Sequence, residues 1–255
     1  MKNNLENIHI PNTHITAKEV AKMIDHALLK PEMTRQDVID GCILAKKLGC
    51  ATVCVKPCDV EIAAEVLKGS DVLVSTVIGF PHGHHLTEVK LLEAECAIEQ
   101  GCKELDMVIN IGRFLSGDDN LVEEDIRAVC ELAHKKDAIV KVILENYYLT
   151  DEQKVRACEM CQIAGADFVK TSTGYAAGGA TVADLRLMRK ECSDKVLVKA
   201  AGGVRTLDDA LSARAAGAVR VGASASKAII DEATKREKAG TLKIPKLAEE
   251  LGAGY

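Results

Sequence analysis

The sequence predicts a single (β/α)8 barrel of the TIM type with a short N-terminal helical extension, and three observations predict it. Eight apolar, strand-like segments alternate with helical ones along the chain. They recur at roughly 20 to 35 residues, the size of a βα unit. Four helix exits read alike, at Gly49, Gly101, Gly165 and Gly217, each one or two residues before a strand. Glycine there suits the left-handed position that ends a helix ahead of a short connection. Eight such units in 255 residues is the arithmetic of a closed parallel barrel. An open doubly wound sheet is the alternative, and it fits less well because no G-x-G-x-x-G follows the first strand. No low-complexity linker divides the chain, so one domain is expected over 1–255.

Taken in order, residues 1–15 are polar and unpatterned and read as a flexible arm or a short cap. A helical segment from residue 16 leads into a first strand, Asp25 to Leu29. Thr34 with Asp37 reads as a helix start, with an acid three residues after the cap. The next strand is Ala51 to Val55, and Asp59 is expected to open the following helix, which ends near Gly69. A strand from Val72 to Val77 precedes a helix from about Thr87. Strand Lys103 to Ile109, helix Leu121 to Lys136 and strand Ile139 to Leu144 come next. Thr150 with Gln153 forms a capping box. Its helix leads to Ala166–Lys170, and Thr181 and Thr206 cap the helices before the last two strands, Val196 to Lys199 and Val219 to Val221. Residues from about 250 to 255 are expected to form a mobile tail.

Composition removes several function classes. The net charge of −5, from 33 basic and 38 acidic residues, offers no polycation for nucleic acid. No run approaches the apolar length of a membrane span, and the start Met1–Glu6 lacks the apolar centre of a signal peptide. A cytoplasmic location is therefore expected. Ten cysteines in a chain of this length do not describe a small disulfide scaffold. Cys54 in a strand and Cys42, Cys96 and Cys130 in helices sit among apolar residues and are expected to be reduced, packing thiols. The one C-x-x-C, Cys158 to Cys161, lies inside a helical pattern and lacks the strand of a redox motif.

Function is suggested by charge where a barrel strand should be apolar. Successive strand residues face opposite sides. In β-patterned Glu104–Ile109 the acids share one face and Leu105, Met107 and Ile109 the other, and in Val140–Glu145 Lys141 and Glu145 face away from Val140, Val142 and Leu144. Helices cover the outside of a barrel, so the inward set becomes Glu104, Asp106, Lys141, Glu145, Lys170 and Lys199. Buried charge on that scale costs several kcal/mol per ion unless paired and marks a site. Lys170 and Lys199 end adjacent strands at the face where barrel active sites lie. Two neighbouring ammonium groups resist joint protonation, so Lys170 reads as a covalent nucleophile and Lys199 as the charge that activates it. Lys141, with Glu104 and Asp106 on the neighbouring strand, reads as an ion-pair partner.

Past those strands the chain offers a cradle for an anion. Gly202 and Gly203 follow the seventh strand, Gly222 and Ser224 the eighth, and Gly174 follows Lys170. Loops after the last two strands commonly bind phosphate in this fold. Arg205 could serve the anion or a local salt bridge, and the sequence does not choose. His82, His84 and His85 after the third strand could suggest a metal, but three imidazoles crowded in one loop rarely reach one ion. No metal site is expected.

The segments Phe168–Gly174, Val198–Thr206 and Glu104–Asn110 together resemble the deoxyribose-phosphate aldolase family of class I aldolases. Ile24–Pro31, Val77–Pro81, Lys141–Glu145 and Arg220–Ser224 extend the resemblance along most of the chain. It implies a barrel that reversibly cleaves 2-deoxy-D-ribose 5-phosphate to acetaldehyde and D-glyceraldehyde 3-phosphate, with Lys170 as the Schiff base. By the same resemblance Lys199 lowers the Lys170 pKa and joins a proton relay, and Asp106 moves a proton. Asp25 and Lys141 support them, and Gly174, Gly202, Gly203, Gly222 and Ser224 hold the phosphate. No cofactor is implied. Ala27 stands where some members carry threonine, and Tyr175 where some carry lysine. The terminal Tyr255 matches some members and reads either as a mobile proton carrier or as a plain chain end. A homodimer is left open, since no apolar surface stripe can be read.

Two rivals stand beside this reading: a metal-dependent aldolase or epimerase on the same scaffold, and a non-catalytic sugar-phosphate-binding barrel. Aldol cleavage is expected to persist at its full rate after dialysis against a strong chelator. Loss of activity that returns with a divalent cation would favour the metal-dependent rival.

Overall fold

In the computed structural model, which describes residues 13–246, 248 and 251, eight parallel strands pair in chain order and the last pairs with the first to close a barrel. They are β1 (Ile24–Leu28), β2 (Thr52–Val55), β3 (Leu73–Ile78), β4 (Glu104–Val108), β5 (Ile139–Ile143), β6 (Phe168–Lys170), β7 (Leu197–Ala201) and β8 (Arg220–Ala223). A helix α1 (Ala17–Met23) precedes the barrel. Around it lie α2 (Arg35–Leu48), α3 (Val60–Leu67), α4 (Thr87–Glu99), α5 (Ile111–Leu115), α6 (Asp119–Lys135), α7 (Asp151–Ala164), α8 (Val182–Glu191), α9 (Leu207–Ala215) and α10 (Ser226–Lys238).

Alternation sorts the side chains as a closed sheet requires. Leu105 and Met107 of β4, Val140 and Val142 of β5, Val169 of β6 and Val198 of β7 all join the continuous apolar layer beneath the helices. The residues between them carry the charge into the barrel. Local chemistry starts and stops the helices. Thr16, Thr34, Thr150 and Thr206 each form a full capping box, and Thr181 accepts from the Asp184 amide. Gly49 and Gly165 end α2 and α7 in the left-handed conformation, at φ 69° and 88°.

Some expectations change. Asp59 opens α3 as expected, at its N-cap, though without a side-chain hydrogen bond to the helix. A short 3₁₀ turn, Pro57–Asp59, precedes α3, and the Asp59 carboxylate pairs with Lys56 at 3.3 Å. The helix α5 was not legible. Asn110 caps it by accepting from the Arg113 amide, and buried Phe114 sits under the Arg156 guanidinium at 4.4 Å. Cys96 faces solvent from α4, so it is not a packing thiol, and Cys58 is exposed too. The arm expected over 1–15 is tied at its described end. The Ile244 amide donates to the Thr13 carbonyl at 2.7 Å, and His14 bridges Lys243. Tyr255, with residues 1–12 and 252–255, lies outside the described residues. An apolar row does reach the surface, Leu86 at the start of α4 with Val89 and Leu92 along it. Periodicity hides it because the inner side of α4 carries only buried Lys90, Ala94 and Ala97, so no contrasting apolar stripe stands out. No helix among the described residues is long and apolar enough to cross a membrane.

One buried ion pair binds the frame near the site. Lys90 of α4 is fully buried and donates to the Val108 carbonyl at the end of β4 (2.9 Å) and to Asp125 of α6 (2.5 Å). Lys90→Met is expected to lower unfolding free energy by about 3 to 5 kcal/mol, since it strands a buried carboxylate. Adding Asp125→Leu should recover most of that loss in urea denaturation. Equal stability of the single and double variants would contradict this account.

Candidate active site

Strand register brings four strands' charges together. Asp106 of β4 is the Cα partner of Lys141 on β5, and Lys170 of β6 is the partner of Lys199 on β7. The three lysine ammonium groups converge on one carboxylate. Lys141 Nζ donates to Asp106 Oδ1 at 2.7 Å, and Lys170 Nζ and Lys199 Nζ both donate to Oδ2 at 2.7 Å. Lys141 also lies 2.7 Å from Glu104 Oε2 and 3.7 Å from Asp25 Oδ2. Lys199 pairs with Asp25 as well. Arg220 of β8 closes the ring, pairing with Asp25 and, at 2.5 Å, with Glu104. Lys170, Lys199 and Lys141 are respectively 3 %, 1 % and 0 % exposed, so these contacts lie in a dry interior.

The lysines are sorted by what surrounds each. Burial opposes a charge on all three. At Lys141 the carboxylates Asp106, Asp25 and Glu104 outweigh burial and raise its pKa. At Lys199 Asp106 and Asp25 do the same. Lys170 has only a share of Asp106, and burial, joined by the Lys199 charge, leaves its pKa lowered. Asp106 and Asp25 are held well below the usual carboxylate range, because their lysine and arginine partners overcome the burial that would raise them. The cause at Lys170 thus differs from the sequence expectation. Burial acts first and the neighbouring ammonium second, and Lys170 does have a carboxylate contact.

Above the charges opens a cleft of about 320 Å³ whose lining includes Gly174, Gly202, Gly203, Gly222 and Ser224, all of the residues expected to bind an anion. Gly202 and Gly203 have φ of 77° and 91°, a backbone that side-chain-bearing residues rarely adopt. A methyl group added at Gly222 would stand 3.8 Å from Lys199 Cε, which puts the cleft floor at the lysine cluster. Ala27, Lys30, Arg205 and Tyr175 complete parts of the wall. The Arg205 side chain is exposed there and makes no ion pair among the described residues. Tyr175 donates its hydroxyl to the Leu29 carbonyl at 2.9 Å and sets its ring edge-on to Phe80. It lines the cleft beside Thr173 and Gly174.

The turn after Lys170 is braced from both sides. Thr171 Oγ1 donates to the Ala201 carbonyl and accepts from its amide, both at 3.1 Å. Thr173 donates its amide (3.2 Å) and its hydroxyl to Glu145, which sits at the end of β5 with φ of 55°. Burial pushes the Glu145 carboxyl up. Arg220 went unread in the sequence, although alternation with Gly222 along β8 placed it on the inward face. The Gly178-Gly179 pair also went unread. It lets the loop pass against Gly202, where an added Cβ at Gly179 would meet the Gly202 carbonyl at 2.6 Å. His82, His84 and His85 stack along their loop, with ring centroids 5.6 and 5.1 Å apart. Among the described residues no group of three His, Cys, Asp or Glu side chains is placed to hold a metal ion.

Comparison with known proteins agrees on one family. Residues 19–231 match the DeoC/LacD family aldolases. The chain is 54 % identical over 211 residues to a deoxyribose-phosphate aldolase of Bacillus cytotoxicus, covering 83 % of this chain and 94 % of that one. It is 52 % identical over 221 residues to that of Thermococcus gammatolerans, covering 86 % and 98 %. Among solved structures, the tetrameric deoxyribose phosphate aldolase of Aeropyrum pernix superposes with a TM-score of 0.80 at 32 % identity, covering 85 % of this chain and 92 % of that one.

Replacing Asp106 by asparagine leaves the three lysines without their common counter-charge. Asp106→Asn is expected to destabilise the fold by roughly 3 kcal/mol at neutral pH. The deficit should shrink as pH rises toward 10, where a buried ammonium can shed its proton. In the wild type the depressed Asp106 stabilises the fold above its unfolded pKa of about 3.9, and that contribution is lost as pH falls through the lower folded value. Urea titrations of both proteins from pH 2 to 10 check the two slopes.

Proposed function

The chain belongs to the DeoC/LacD aldolase family, and on that premise we propose that it reversibly cleaves 2-deoxy-D-ribose 5-phosphate to acetaldehyde and D-glyceraldehyde 3-phosphate through a Schiff base on Lys170. The observation that carries this reading is the unequal sharing of Asp106. Lys141 and Lys199 hold further carboxylates, and Lys170 holds none. Lys170 is therefore the lysine that gives up its proton and can attack a carbonyl carbon.

The neutral Lys170 amine adds to C1 of the open-chain sugar, and loss of water gives an iminium. The iminium accepts the electron pair of the C2–C3 bond as that bond breaks, while the C3 hydroxyl loses its proton. D-glyceraldehyde 3-phosphate departs, the enamine takes a proton at C2, and water releases acetaldehyde. Asp106 and Lys199 touch the Lys170 nitrogen's surroundings at 2.7 Å contacts and are the groups proposed to carry these protons. Asp25 and Lys141 hold the pair in place. Gly174, Gly202, Gly203, Gly222 and Ser224 are the proposed phosphate cradle, with backbone N–H groups and one hydroxyl facing the anion. The steps draw on no metal or organic cofactor. A homodimer and a cytoplasmic location belong to the same proposal, and the Aeropyrum pernix relative, described as tetrameric, supports self-association without fixing two as the number of copies.

Incubation with 2-deoxy-D-ribose 5-phosphate followed by borohydride should leave a stable adduct that mass spectrometry maps to Lys170. Lys170→Met should abolish both the adduct and turnover. An adduct on Lys141 or Lys199 would reassign the nucleophile, and no adduct at all would overturn the Schiff-base reading.

A further inference from the structure

We infer that Arg220 is the positioning residue that keeps Lys170 uncharged, by occupying carboxylates that would otherwise neutralise the lysines. This rests on the Schiff-base reading of Lys170. The ion-pair network inside the barrel joins four cations, Lys141, Lys170, Lys199 and Arg220, to three carboxylates, Asp25, Glu104 and Asp106. With every group ionised the network holds one positive charge too many. In a dry interior that excess is relieved by releasing one proton. A guanidinium does not release one, so the loss falls on a lysine. Lys170 shares its single carboxylate oxygen with Lys199, and that makes it the donor.

Arg220 creates the excess without touching Lys170. Its guanidinium engages one oxygen of Asp25 and one of Glu104, which also face Lys199 and Lys141 respectively. Those lysines lean the harder on Asp106, and less of that carboxylate remains for Lys170. Without the arginine charge, three lysines would face three carboxylates and all could stay protonated. No carboxylate other than Asp106 pairs with Lys170 among the described residues. Glu145, beyond the end of β5, feels the Lys170 charge from outside the ion-pair ring, where it is bonded to Thr173, and burial raises its carboxyl. The nearby His82 side chain acts on that same Glu145 from the exposed loop. Cys54 of β2 is buried, and its thiol is pushed up by burial, so it adds no charge.

Reductive alkylation reads Lys170 directly. Acetaldehyde with cyanoborohydride is applied from pH 5.5 to 9.5, and ethylation of Lys170 is quantified by mass spectrometry in wild type and variants. Arg220→Gln is expected to shift the acid limb of Lys170 labelling upward by about one pH unit, and the acid limb of kcat/KM with it. Arg220→Lys, which keeps the charge, should hold the wild-type limb. Asp25→Asn, which deepens the cationic excess, should shift it downward. A merely structural role for Arg220 would not give shifts of opposite sign. If Arg220→Gln does not fold by circular dichroism, the Arg220→Lys and Asp25→Asn limbs decide. Limbs that stay with wild type in both Arg220→Gln and Asp25→Asn, or an Arg220→Lys shift as large as that of Arg220→Gln, would overturn the inference. An Asp25→Asn limb that moves upward would overturn it as well. Wild-type Lys170 that takes no label at any pH would bring down the Schiff-base reading, and this one with it. A labelled wild type with unmoved variants overturns the role of Arg220 alone.

Discussion

Asp106 is one carboxylate contacted by three ammonium groups, and the rest of the barrel interior is arranged around that shortage. Barrel interiors of this kind are ordinarily filled by apolar layers. Here the layer holds buried ions, each of which would cost several kcal/mol if left alone. Pairing therefore sets the register as well as the chemistry. Asp106 opposite Lys141 and Lys170 opposite Lys199 are facts of strand register before any chemistry is proposed for them. A slip of one residue on any of these strands would turn its charge into the apolar layer under the helices.

Much of this was legible in the chain itself. Period-two alternation in Glu104–Val108 and Ile139–Ile143 assigned the inward faces, and the glycine exits assigned the helix ends. Lysines expected at strand ends pointed to Lys170 and Lys199; Lys170 does end β6, whereas β7 runs two residues past Lys199 to Ala201 because its ladder with β8 continues there. What stayed hidden depends on distances across the fold. Arg220 begins a four-residue strand whose alternation places it inward but does not show what it meets there. Its partners Asp25 and Glu104 are 195 and 116 residues away. The contact of Thr173 with Glu145 depends on a left-handed backbone at a glutamate, which no propensity predicts. The helix α5 is five residues long and held by one buried ring, below the length at which periodicity is visible.

The brace around β6 also explains how so short a strand can hold the lysine proposed as nucleophile. β6 has three residues. Thr171 ties its end to β7 and Thr173 ties the following turn to Glu145 at the end of β5. The lysine is thus held through its neighbours as much as through its own ladder. That division fits a site that must keep a flexible four-carbon side chain aimed at one carbon atom.

The two ends of the cleft are made of different material. Around Gly202 and Gly203 the surface is backbone, and the close approach of Gly179 to Gly202 leaves no room there for a side chain. Elsewhere in the lining, Ala27, Leu29 and Tyr175 present side chains. A codon change rewrites a side chain and leaves a main-chain amide in place. The proposed anion end is therefore inherited with the fold, whereas the side-chain part of the lining is open to selection one substitution at a time. Descendants of this chain can diverge in the molecules they admit while keeping the same main-chain surface.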